Sequence, residues 1–230
     1  MSITATEGPY NSQEFFKSAI DAYGHDGAML LGESIITNFA YAQDVLPLRR
    51  PISGVNLAVS EAVSSHSGVR AFARGSIVKL LFSPHAGVAQ ITGELAETIC
   101  HEVGHVAHYQ RIPKLHTSPA DFLWSRAIRE GVAIQAGYVL YGELASLLAT
   151  SHWGDIRAEA ALQELLDNPG GNQKARHYDF LMGDDDFRGR GYAIGHYAVE
   201  SMREQYDMSL VELMETPLVD FTEFARRELV

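Results

Sequence analysis

His101-Glu102-Val103-Gly104-His105 is an HExxH sequence set inside a helical pattern. Residues four apart on a helix lie one turn above each other on one face, so both imidazoles can reach a single cation and Glu102 can hold a water beside it. The bare motif does not decide the matter: with ten His and seventeen Glu in 230 residues, a shuffled chain contains HExxH about three times in a hundred. Its flanks add weight. From Gly93 to Arg111 the spacing predicts one helix, with Leu95, Ile99, Val103 and Val106 forming an apolar stripe. At roughly 100° per residue, His101 and His105 lie off that stripe, so one face can pack on a core while a neighbouring face carries the pair. Pro113 closes the helix.

A zinc site that performs hydrolysis needs a third protein ligand and an open position for water. Glu130 is the candidate. It lies in a second helical pattern expected from Pro119 to about Leu148, with Ser118 as N-cap, and its neighbours Ala127, Ile128, Val132, Ala133 and Ile134 are apolar. An unpaired carboxylate is costly to bury there, and a cation would be its partner. Gly131, beside it, is expected to let this helix approach the HExxH helix closely.

HEVGH followed by the EGxA sequence Glu130-Gly131-Val132-Ala133 resembles the gluzincin metallopeptidases, the thermolysin-like group, and more narrowly the small bacterial families of predicted zinc-dependent proteases. Those families also carry a YxxG helix near the C-terminus, here Tyr192-Ala193-Ile194-Gly195, so the resemblance covers roughly residues 50 to 225. It implies an α+β fold, mostly helical, with a small sheet preceding the HExxH helix. It also implies Zn²⁺ held by His101, His105 and Glu130, and a peptide or protein substrate. Glu102 would act as general base on a water made acidic by the metal and would then pass the proton to the leaving amine. The sheet edge in such folds can bind an extended peptide, and the strand after Gly75 is the candidate here. One position departs from the pattern: thermolysin has an Asp four residues after its ligand Glu, and this chain has Ile134. Some other residue would have to orient the imidazoles.

The remaining chain is read around that centre. A length of 230 residues with 46% hydrophobic content is ample for a packed core. We expect a helical segment over residues 1–50 packing on a metallopeptidase-like domain over 51–230. A net charge of -11 with no dense Lys/Arg run argues against a nucleic-acid-binding surface. The polar start, the lack of an apolar run of membrane-spanning length and the single Cys100 point to a cytoplasmic protein without a membrane span. Helices are expected at Ser12–Tyr23 and Met29–Val45, with a turn at His25-Asp26 between them. Strands are expected at Val55–Ser60 and Gly75–Pro84, with a Ser/His/Gly-rich loop from Ala62 to Arg74. A helix from Asp155 to Leu166 stops at Asn168-Pro169-Gly170-Gly171. Asp184-Asp185-Asp186 lacks the spacing of a calcium loop and reads as solvated.

Tyr192 and His196 share a face of the helix expected from Tyr192 to Tyr206. A hydrolase that forms an oxyanion needs a hydrogen-bond donor near the metal, and either ring could supply it; packing residues are the alternative. His108 cannot join both His101 and His105 on one ion, because seven residues of helix span roughly 10 Å. It is left as a supporting group or an exposed one. His66, His116, His152 and His177 read as surface residues, and Cys100 as a small buried hydrophobe. A second reading keeps the metal and drops the turnover: a metal-binding or scaffold protein whose gluzincin-like cleft binds a partner.

Overall fold

A computed structural model describes residues 12–63, 68–113, 122–141, 155–167 and 190–229. The expected helix start at Ser118-Pro119, its end near Leu148, the stop at Asn168–Gly171, Asp184–Asp186 and the loop histidines His66, His116, His152 and His177 lie outside those residues. The fold is α+β: mostly helical, with a three-stranded sheet ahead of the HExxH helix. The chain divides into two compact units, one up to Val106 and one from Ala107, the division falling inside the HExxH helix.

In the first unit, helix α1 (Ser12–Val45) is two helical segments joined without a loop. Gly24 sits at φ 74°, ψ 170°, outside the helical region and in a conformation that favours glycine. The break expected over several residues is therefore confined to one, and His25 and Asp26 form only an exposed pair 3.6 Å apart. Helix α1 packs on the sheet: the Phe15 and Phe82 rings are 5.5 Å apart, and the Tyr23 hydroxyl donates to the Ser83 carbonyl at 2.6 Å. Burial there pushes the Tyr23 pKa up to about 12.

The sheet comprises β1 (Gly54–Val59), β2 (Val69–Arg74) and β3 (Ile77–Phe82) in the order β1-β3-β2. β3 runs parallel to β1 and antiparallel to β2. Two expectations are corrected. Val69 to Arg74 is a strand, not part of a loop. And the strand after Gly75 is the central one, its backbone paired on both sides, so among the described residues the edges belong to β1 and β2. The hairpin between β2 and β3 turns on Gly75 and Ser76, with Gly75 at φ 60°, as the first position of a II′ turn requires.

Helix α2 (Val88–Arg111) carries the HExxH sequence and begins five residues earlier than its periodicity suggested. The predicted stripe of Leu95, Ile99, Val103 and Val106 is fully buried, as is Cys100.

In the second unit, α3 (Phe122–Tyr141) carries Glu130. It packs along α5 (Arg190–Tyr206), the helix of the YxxG sequence, and α4 (Asp155–Asp167) joins α5 through an Arg190–Glu164 ion pair. Two short helices flank Pro217: α6 (Leu210–Glu215) and α7 (Leu218–Phe224), followed by a π turn over Ala225–Leu229. Ser209 and Glu212 close a capping box on α6. Trp124, buried on α3, donates to the Thr222 hydroxyl on α7 at 2.8 Å.

Candidate metal site

His101 and His105 stand one turn apart on α2, their rings 4.6 Å apart and crossed at 87°. Both are half-buried, whereas Glu102, between them in sequence, is 7% exposed and Glu130 is 5% exposed. One ligand atom from each of His101, His105 and Glu130 can be chosen so that all three lie within 4.8 Å of one another. A tetrahedral zinc with bonds of about 2.1 Å sets its ligand atoms about 3.4 Å apart, so modest side-chain rotation would close the set. Two imidazoles and a carboxylate are also a donor set that suits zinc. The residues present fit the metal.

Local sequence accounts for the placement. The α2 stripe buries one side of that helix and leaves the histidine face half open. On α3, Ala127, Ile128, Gly131, Val132 and Ala133 around Glu130 are all buried. Arg129, its neighbour, is held below its ordinary guanidinium range by burial and then by Arg126, with Tyr109 and Glu130 pulling the other way. Glu97, one turn before His101, is pushed above the usual carboxylate range by burial, with His101 lowering it and Glu94 raising it.

Gly131 does not serve the approach expected of it. A Cβ on Gly131 would lie 2.1 Å from the Gly195 carbonyl oxygen, and one on Gly195 would lie 1.8 Å from the Ala127 carbonyl oxygen. The glycine after Glu130 therefore lets α3 meet the YxxG helix, α5, at backbone contact. The glycines of EGxA and YxxG are two halves of one helix crossing.

That crossing also places Tyr192 and His196. Tyr192 is half-buried at the start of α5. His196 is buried and held from two sides: Nδ1 lies 3.4 Å from the Gln135 amide nitrogen and Nε2 lies 3.1 Å from the Glu200 carboxylate. Arg203 donates to the Gln135 carbonyl oxygen at 2.9 Å and lies 6.0 Å from the centre of the Tyr138 ring. The hydrogen bond from His196 holds the Glu200 carboxyl below its usual range, burial acting against it and the charges of His196 and Arg203 reinforcing it. Sequence reasoning missed Gln135. The signal was there: an amide with no exposed surface inside an apolar run, the same argument that picked out Glu130. His108 is buried on α2, so of the two readings left open for it the exposed one is excluded.

Fold and donor set together describe a mostly helical α+β protein in which His101, His105 and Glu130 could hold a metal ion. Residues 57–223 match the family described as predicted Zn-dependent protease (DUF2268), and the chain belongs to that family. No match was found among curated proteins or solved structures. Within the described residues no helix is long and apolar enough to cross a membrane.

Proposed function

We propose that this protein is a zinc-dependent peptidase of the gluzincin type, with His101, His105 and Glu130 as metal ligands and Glu102 as general base. The observation that carries the reading is the convergence of the three ligand atoms within 4.8 Å, from helices separated in sequence. Zinc held there would supply Lewis acidity, making a nearby water easier to deprotonate and a carbonyl easier to attack. Glu102 takes the proton from the attacking water and returns it to the leaving amine as the peptide bond breaks. At 7% exposure the Glu102 carboxylate is shielded from bulk water.

Tyr192 is the donor we assign to the developing oxyanion. His196 has both ring nitrogens engaged by Gln135 and Glu200. We therefore read it as a positioning residue that fixes α5 on α3, rather than as a second donor. The family match, beginning at residue 57, favours the domain over 51–230 as the catalytic body, with residues 1–50 as a helical addition.

The test compares zinc-loaded wild type with Glu102→Gln on a broad peptide library. The variant should keep its zinc and lose hydrolysis by about 10²- to 10⁴-fold. Undiminished cleavage would remove Glu102 from the mechanism. Metal-loaded protein that cleaves nothing would favour the scaffold reading.

A further inference from the structure

β2 and β3 present one unusual face. Val78, Leu80 and Phe82 are buried, so the alternating positions Ile77, Lys79 and Leu81 point to the opposite side of β3. The antiparallel register sets Arg74 opposite Ile77, Phe72 opposite Lys79 and Arg70 opposite Leu81. The result is a checkerboard in which every cation faces an apolar side chain across the ladder. Phe72 and Ile77 keep 45% and 44% of their surface exposed, and the Arg70 guanidinium lies 5.1 Å from the centre of the Phe72 ring. None of the three strands contains an Asp or Glu, although the chain as a whole carries -11.

We infer that this outer sheet face is a docking surface for an extended polypeptide segment in which acidic and apolar side chains share one face. The inference rests on the reading that polypeptides are the substrates, and it concerns the sheet's face rather than its edge. Same-face residues of an extended chain repeat about every 6.6 Å, the repeat that separates Arg70, Phe72 and Arg74. A segment with acid, apolar and acid at alternate positions therefore matches those three in turn, with Lys79 beside the centre.

Charge and number favour this occupant over other anions. Nucleic-acid binding draws its affinity from many phosphate contacts, and a chain of -11 repels a polyanion at long range. Anionic membranes are held by clusters of four to eight cations at about 1 kcal/mol each, and this face has three.

The experiment measures fluorescence anisotropy of a labelled, extended peptide of Glu-Ser-Leu-Ser repeats, which sets Glu and Leu in turn on one face, with full-length, zinc-loaded Glu102→Gln protein, so that binding is read without turnover. Arg70→Glu/Arg74→Glu should weaken binding at least 10-fold, Phe72→Ala several-fold, and added salt should weaken it as well. Arg70→Gln/Arg74→Gln, a milder pair, should weaken binding less, guarding against a folding defect in the reversal. Zinc content and melting temperature are followed in each variant. Unchanged affinity in the folded reversal variant, or no binding by the parent, would overturn the proposal. So would tighter binding to a single-stranded oligonucleotide or to phosphatidylserine vesicles than to the peptide. Each of these results leaves the peptidase reading standing, because that reading is tested by cleavage.

Discussion

At the scale of single residues, Glu130 and Gln135 illustrate how far a polar side chain in an apolar run can be interpreted. Glu130 was read from the sequence as an anomaly and Gln135 was missed, although a buried polar group needs a partner in both cases. The carboxylate could be assigned to a cation because HExxH left a ligand position to fill. The amide could not be assigned, because its partners His196 and Arg203 lie more than sixty positions away and sequence spacing does not reach them. The Glu200 carboxylate gives this network a pH signature. Its pKa in the folded protein is lowered, chiefly by the hydrogen bond from His196. The stability it contributes is thus present above the ordinary carboxylate pKa of about 4.3 and is lost as pH falls through the lowered value. Glu200→Gln should lower the melting temperature most at pH 6, and the gap from wild type should close toward pH 3. A gap that stayed constant over that range would mean the carboxylate charge plays no part.

At the scale of elements, periodicity was the reliable guide and partner choice was not. The stripe of α2 followed from apolar spacing, and the extents expected for α4 and α5 fall within two residues of those found. β2 was hidden because Arg70, Phe72 and Arg74 occupy its outer face while Ala71 and Ala73 form its inner one, so the usual contrast of large apolar against polar is blurred. Gly131 was correctly marked as a site of close approach, but a glycine does not declare which helix it meets. Gly195 supplies the answer, and the consequence can be measured. Gly195→Ala places a methyl group against the Ala127 carbonyl, which is backbone and cannot rotate away. The variant should lose about 1–3 kcal/mol in urea unfolding, the usual cost of overpacking, or more if α3 and α5 must separate. Gly93→Ala, on α2 with nothing within 4 Å of its added Cβ, is the control and should stabilise by a few tenths to about 1 kcal/mol. Equal effects in the two variants would contradict the crossing.

At the scale of the whole molecule, the proposed ligands come from α2 and α3, so metal binding and folding should be linked. A ligand that binds only the folded chain stabilises it by about 2.7 kcal/mol at a concentration 100 times its Kd. For a chain of this length that corresponds to a rise of roughly 5–10 °C in melting temperature. Zinc should produce such a rise, a chelator should reverse it, and His101→Ala should abolish it. A melting temperature indifferent to zinc in the wild type would break the link. The central claim is tested most directly by metal content, measured by mass spectrometry on protein prepared without chelator, for wild type, His101→Ala and Glu130→Gln in parallel. The account predicts near-stoichiometric zinc in the wild type and a large loss in both variants. Equal metal in all three proteins, or none in the wild type after zinc is supplied, would contradict it.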